Sequence, residues 1–151
     1  MANTQAMCTS FKTEILSGIH ALGTTVIRAG TGADTIKAAL YLASASQGAG
    51  TTAYAVTGEV SGAGYSAGGV TATNATAPTS SGTTAYWTPS ASFTYTTVTL
   101  TTSFDCVLVY NSTQSNKAIS AHTFGAQTIT AGTFVLSMPT NDASNALIRI
   151  A

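Results

Sequence analysis

The stretch from Asp34 to Gly69 constrains the fold more than any other part of the chain. From residue 36 to residue 42, Ile36, Ala38, Leu40 and Leu42 alternate with Lys37, Ala39 and Tyr41. That alternation predicts a β-strand with one face on a hydrophobic core. The later part of the stretch is rich in glycine, at Gly58, Gly62, Gly64, Gly68 and Gly69. Glycine allows positive φ angles and close backbone approach, so an ordered loop is predicted to follow the strand.

The composition favours folded β structure. Charged residues make up 7% of the 151-residue chain and hydrophobic residues 44%. A charged fraction of about 25% is usual, and Thr, Ser, Ala and Gly replace the missing charges here. Because disorder requires low hydrophobicity together with high charge, a Thr-rich chain of this kind is expected to fold as one β-rich domain over residues 1–151.

The charges and the apolar segments argue against two classes of partner, nucleic acids and membranes. The formal net charge is +0, and the few basic residues are scattered along the chain without forming a stripe. Nucleic acid is therefore not an expected partner. The N-terminus has neither a basic segment nor an apolar segment of the secretory type, and no stretch is apolar for long enough to cross a bilayer, so no membrane partner is expected. Cys106 lies in an apolar run and is interpreted as a buried free thiol.

One helix is predicted, near the N-terminus. Apolar residues recur at helical spacing over residues 11–22, and Gly23 offers a C-terminal stop. Residues 1–23 are therefore predicted to form an N-terminal arm and helix, with His20 in the last turn in a structural role. A short strand is predicted at residues 24–28 and a turn at residues 29–33.

The rest of the chain reads as short strands. The run at residues 104–110 is apolar on both faces except for Asp105, which predicts a central strand. The alternation slips by one residue at Thr96 and Thr97, which predicts a bulge or a strand that changes sheets. A polar loop is predicted at residues 75–84, and hairpins are predicted at residues 111–116 and around Ala131 and Gly132. About eight strands with frequent turns favour an antiparallel β-sandwich, jelly-roll-like.

One motif has the form of a catalytic signature. Residues 64–68 read Gly-Tyr-Ser-Ala-Gly, and Asp105 and His122 follow Ser66 in the chain order of an α/β-hydrolase triad. Such a serine needs a buried strand before it and a helix after it. Here glycines precede Ser66 and a β-branched stretch follows it, so the motif is interpreted as a glycine turn, and no catalytic residue is assigned.

The other polar residues give no cofactor or metal site. The glycine spacing is wrong for a phosphate-binding loop, and His, Cys and acidic residues show no paired ligand spacing. Glu59 lies inside the glycine loop with no acid or His nearby in sequence. It is therefore predicted to face inward and to accept backbone N–H bonds that order the loop.

Several short segments together resemble one protein family. They are Ala2-Asn-Thr, Ser10-Phe-Lys, Gly18-Ile-His, Lys37-Ala-Ala-Leu-Tyr, the glycines and tyrosines between Tyr54 and Gly69, Tyr86-Trp-Thr-Pro, Val109-Tyr-Asn-Ser, His122-Thr-Phe-Gly and Thr130-Ala-Gly. In these segments, spread over nearly the whole chain, the sequence resembles the capsid cementing, or decoration, proteins of tailed bacteriophages. The resemblance implies a jelly-roll-like structural protein that binds the outer surface of an HK97-type capsid as a dimer and stabilises the shell.

That resemblance sets the expected partners and location. The major capsid protein and a second copy of the chain are the implied partners, and the outside of the phage head, assembled in the host cytoplasm, is the implied location. Charge depletion with abundant Thr, Ala and Tyr suits large interfaces. The alternative is a tail or fibre component that adheres to host glycans, with Tyr65, Tyr86 and Trp87 as stacking platforms. No enzyme activity is expected.

Overall fold

The chain folds mostly as β structure, in two antiparallel sheets consistent with a β-sandwich. The computed structural model describes residues 2–16, 18–23 and 32–151. Its elements are, in chain order, β1 (Ala6–Met7), α1 (Thr9–Leu16), β2 (Ile36–Leu42), β3 (Val70–Thr71), β4 (Thr79–Ser81), β5 (Thr84–Trp87), β6 (Phe93–Asn111), β7 (Lys117–Leu136) and β8 (Ile148–Ile150). The larger sheet has the order β1-β7-β6-β2-β3 and the smaller one the order β4-β5-β8.

The strands predicted from alternation form the centre of the larger sheet. β6 lies between β2 and β7, and its residues 106–111 are all buried. The expectation of a central strand over residues 104–110 is therefore confirmed. Cys106 and Cys8 are both buried free thiols, as predicted for Cys106. The hairpin predicted at residues 111–116 is also confirmed, since residues 112–116 join β6 to β7 and Asn111 is the last residue of β6.

The slip in the alternation is a β-bulge. The pairing of β6 with β7 shifts register between Tyr95 and Val98, and Thr97 has a φ of +52°. The extra residue lets Tyr95 and Val98 both reach the core, where their exposed fractions are 2% and 1%. The alternation alone thus located this irregularity.

The ribbon formed by β6 and β7 folds back on itself. The ring centroids of Phe124 and Phe134 lie 5.4 Å apart, although both residues belong to β7. Ten residues of straight strand would span about 33 Å, so β7 must bend sharply between the two rings. Phe104 packs edge-on against both phenylalanines, with centroid distances of 6.0 and 5.1 Å. The two halves of one ribbon therefore supply facing layers of the core.

Two predictions of turns and loops are wrong, one within β7 and one at residues 75–84. Ala131 and Gly132 do not form a hairpin, because the residues on both sides of them belong to β7 and pair with β6. Ala131 has a φ of +47° and marks a bulge in a continuous strand. The predicted polar loop at residues 75–84 contains β4, which pairs with β5 around a turn at Gly82. Gly-containing turns and bulges use the same residues, so sequence did not distinguish them.

The helix is shorter than predicted. α1 ends at Leu16, and residues 18–23 are not helical. Gly18 has a φ of +66°, its N–H donates to the Ile15 carbonyl, and the N–H of Ile19 donates to the Glu14 carbonyl, both at 3.0 Å. These two bonds form a Schellman motif that closes the helix, so Gly18 and not Gly23 is the terminating glycine. The strand predicted at residues 24–28 and most of the turn at 29–33 lie outside the described residues.

Leu108 provides the test of the core. Its side chain is fully buried in β6, opposite Ala39 and Ala121. We expect Leu108→Ala to lower the free energy of unfolding by about 2–5 kcal/mol, because burial is lost and a cavity remains. Urea unfolding followed by tryptophan fluorescence measures this. An unchanged unfolding midpoint would show that Leu108 does not belong to the core.

Candidate functional site

Glu59 is the centre of the best-defined polar site, in the glycine loop. The loop leaves β2, and its backbone returns to pair at Tyr41 with Glu59 and at Thr99 with Ala63. Glu59 is 8% exposed. Its Oε1 accepts the N–H of Gly68 and the hydroxyl of Tyr65, both at 2.7 Å, and its Oε2 accepts the hydroxyl of Tyr54 at 2.6 Å. The prediction of an inward carboxylate that orders the loop is confirmed.

The tyrosines of this cluster are held in the protonated state. Burial, and then the hydrogen bond to Glu59, raise the pKa of Tyr65 and the pKa of Tyr54 well above the usual value of a phenol. Each hydroxyl therefore remains a donor to the carboxylate near neutral pH. Tyr65 also accepts the N–H of Leu40 at 3.0 Å, so the loop is tied to β2. Both oxygens of the Glu59 carboxylate thus accept hydrogen bonds from within the glycine loop, which is the arrangement of a structural clamp.

A second polar cluster joins the N-terminal segment to the β6–β7 turn. Glu14 accepts hydrogen bonds from Lys117 at 2.6 Å and from the His20 ring at 2.7 Å. The amide nitrogen of Asn111 lies 3.1 Å from His20 Nδ1 and donates to Asp34 at 2.7 Å. Because that amide group can only donate, Nδ1 accepts and the proton of a neutral His20 sits on Nε2, directed at Glu14.

The pKa shifts of Glu14 and His20 also indicate a structural role for this cluster. Burial lowers the pKa of His20 and outweighs the opposing bond from Glu14, so the ring is neutral at pH 7. Burial alone would raise the pKa of Glu14, but the hydrogen bonds from Lys117 and His20 and the positive charge of Lys117 hold it below the usual value. His20 was predicted in the last helical turn, yet it lies beyond α1 and bonds across 91 residues to Asn111. No local pattern in the sequence signals such a contact.

The three residues of the hydrolase-like motif are bonded elsewhere. Ser66 is exposed in the glycine loop. Asp105 accepts a hydrogen bond from Asn3 at 2.6 Å, and His122 lies 2.9 Å from the hydroxyl of Ser120. No hydrogen bond found among the described residues joins Ser66, Asp105 and His122 to one another. The geometry thus agrees with the interpretation of residues 64–68 as a turn, in which Gly64 has a φ of +78°.

The two larger clefts formed by the described residues flank the core. One, of about 530 Å³, is apolar and is lined by Phe11, Ile15, Trp87 and Ile148 among others. The other, of about 540 Å³, lies between the ends of β7 and the C-terminal segment, and it contains the Ser120–His122 pair. Trp87 is 1% exposed, and its ring N–H donates to the carbonyl of Thr76 at 2.9 Å. The interpretation of Trp87 as a platform for stacking sugars is therefore wrong, since its faces are covered.

His122 makes the stability of the fold depend on pH. Burial lowers the pKa of His122 from 6.5 to about 4. Between these values the unfolded chain binds more protons, so the free energy of unfolding should fall as pH falls from about 6.5 to 4, by roughly 2–3 kcal/mol in total. Urea unfolding at several pH values measures the slope. His122→Gln should flatten it, and an unchanged slope in this variant would assign the dependence to other groups.

No family model, no curated protein and no solved structure matches this chain. In the parts of the chain that the structure describes, no helix is long and apolar enough to cross a membrane. The same residues contain no group of three or more His, Cys, Asp and Glu side chains placed to hold a metal ion. The polar clusters around Glu59 and Glu14 therefore remain the best-defined sites, and both fasten loops to strands.

Proposed function

We propose that this protein is a structural component of a phage virion, which binds the outside of an HK97-type capsid as a dimer and cements the shell. The observation that carries the proposal is the resemblance to capsid cementing proteins, which extends over nearly the whole chain. The resembling segments include the Tyr54–Gly69 stretch with Glu59 at its centre. The major capsid protein is the proposed partner, and the head exterior is the proposed location.

The physical character of the molecule supports this role. The buried polar side chains around Glu59 and Glu14 are used for internal bonds that stiffen loops. The exposed side chains of β6 are mostly threonines, at Thr94, Thr96, Thr97, Thr101 and Thr102. A stiff surface with hydroxyl groups and few charges can pack against another protein without desolvating ions. Attachment in many copies lets weak contacts add up across the shell.

The alternative, glycan adhesion by a tail or fibre component, has less support. Of its three proposed platforms, Trp87 is buried, and Tyr65 is half-buried with its hydroxyl bonded to Glu59. Tyr86 is half-buried against the apolar cleft. Stacking on a sugar requires an accessible aromatic face, so this surface offers little of what adhesion needs.

Mapping the protein on intact particles tests the proposal. Gold-labelled antibody against the folded protein should decorate heads at many positions in electron micrographs. Particles separated into heads and tails should retain the protein in the head fraction. Recovery of the protein with tails alone would reject the cementing role and favour the adhesion alternative.

A further inference from the structure

The outer edge of β7 is unprotected over its second part. At its start, Ala53 bridges to Lys117 and β1 pairs with Ser120 and Ala121, but within the described residues no strand or bridge pairs with this edge after Ala121. The backbone N–H and C=O groups that point outward from the end of β7 therefore offer a template for another strand. β3, β4 and β8 also lie at sheet edges, but they have two or three residues each. β2 pairs with β6 only from Phe104 to Asn111, and the glycine loop lies against the earlier part of that β6 edge, where Ala63 bridges to Thr99. The edge of β7 from Ala121 to Leu136 has no paired strand or bridge among the described residues after Ala121.

This edge lacks the devices that usually prevent edge-to-edge association. Residues 118–141 contain no Asp, Glu, Lys or Arg, and the single proline among them, Pro139, follows the strand. Charged side chains and prolines are the common means of blocking a sheet edge. An uncharged edge can also meet an identical edge without repulsion between like charges. Both properties favour a second copy of the chain as the occupant.

Val135 marks the position where two copies would meet. It lies near the end of β7 and is 48% exposed, one of three large hydrophobic side chains exposed among the described residues. Its neighbours Phe134 and Leu136 point the other way and pack, half-buried, against the core. A strand that paired here would cover Val135 and would extend the inward apolar layer.

We propose that two copies of this chain pair antiparallel along the end of β7, with the twofold axis at Val135. Facing residues of an antiparallel pair lie on the same side of the sheet. This axis therefore places Val135 against the partner's Val135, and Phe134 against the partner's Leu136 on the inward face. Thr133 faces the partner's Ser137 on the outer face. The symmetric register matches apolar with apolar and hydroxyl with hydroxyl, as an isologous interface requires.

Cysteine cross-linking tests this register. Paired residues in an antiparallel ladder have Cα atoms about 4.5–5.5 Å apart, within reach of a disulfide. We expect purified Val135→Cys protein to form a covalent dimer under mild oxidation. Thr133→Cys, which is equally placed on the outer face, should cross-link at least tenfold less, because its two copies would be offset by about 13 Å along the strands. Burial raises the pKa of Cys8 and Cys106 to about 11 and about 12, so the native thiols contribute little background.

A pair of charge variants tests the same edge without cross-linking. Val135→Lys would place two ammonium groups at the axis, and we expect the dimer dissociation constant to rise at least tenfold. Thr94→Lys is the matched control, because Thr94 is exposed on the same face and pairs directly with Val135, but it lies on β6, on the side of β7 away from the proposed interface. It should leave the dimer intact. Circular dichroism should show that both variants fold.

The outcomes separate this inference from the proposed function, on which it rests only for the existence of a dimer. A dimer by light scattering that Val135→Cys does not cross-link would overturn the β7 pairing and leave the cementing role standing. A chain that stays monomeric at high concentration would overturn the pairing. Cross-linking of Val135→Cys to the capsid protein in intact heads, without covalent dimers, would show that the edge receives a strand of another protein, and would also overturn it.

Discussion

Replacing Gly64 by valine is expected to prevent the chain from reaching its folded state. Gly64 has a φ of +78°, a region that β-branched residues avoid. A Cβ at this position would also overlap the carbonyl oxygen of Thr97, which belongs to the backbone of the β6 bulge. Neither strain can be relieved by rotating a side chain. The Gly64→Val protein should be recovered as insoluble material, or should lack a cooperative thermal transition by circular dichroism.

The control for this variant lies two residues further on. Ser66 is exposed in the same loop. We expect Ser66→Ala to change the free energy of unfolding by less than about 0.5 kcal/mol, as is usual for exposed sites without a special role. A folded, stable Gly64→Val protein would contradict the close packing of the loop on β6. Esterase activity that disappeared in Ser66→Ala would revive the hydrolase interpretation.

Loss of the Glu59 carboxylate is expected to be the other large effect. Glu59→Ala would leave the hydroxyls of Tyr54 and Tyr65 and the N–H of Gly68 without their acceptor. The N–H of Gly68 is buried and the two hydroxyls are half-buried. A buried donor left unsatisfied costs about 1–3 kcal/mol and a half-buried one less, so we expect a total loss of about 3 kcal/mol in the free energy of unfolding. Urea denaturation measures it.

A matched variant and a double-mutant cycle separate the causes. Glu59→Gln keeps the shape and one acceptor oxygen, so it should lose clearly less stability than Glu59→Ala. Combining Glu59→Ala with Tyr65→Phe should cost less than the sum of the two single changes, because the second removes a donor that the first has already orphaned. Additive losses would show that the Glu59 and Tyr65 side chains are not coupled in the folded protein.

Local sequence patterns predicted β2, the buried part of β6 and the role of Glu59 in the glycine loop. Alternation located β2 and the buried part of β6, and its slip located the bulge at Thr97. The position of Glu59 among glycines was enough to predict its inward role, because a buried carboxylate needs donors and a tight loop supplies free N–H groups. These features depend on residues close together in sequence.

Features that depend on distant residues were not predicted. The cluster that joins Glu14 to Lys117 and Asn111 to Asp34 links residues 103 and 77 positions apart. Such contacts leave no periodic signal in the sequence. The predicted helix continued past Gly18 because apolar residues continue at helical spacing there, although the positive φ of Gly18 marks the end of the helix in the structure. Tertiary contacts of the segment around His20 outweighed that spacing.

The stability of phage heads with and without this protein tests the cementing role most directly. Heads prepared without the protein, heads that carry it, and depleted heads to which purified protein has been added back would be heated or diluted rapidly into low-osmolarity buffer. Release of packaged DNA would be followed by dye fluorescence. The cementing role predicts that depleted heads rupture at lower temperature or at milder dilution, and that added protein restores resistance. Equal resistance in all three preparations would contradict it.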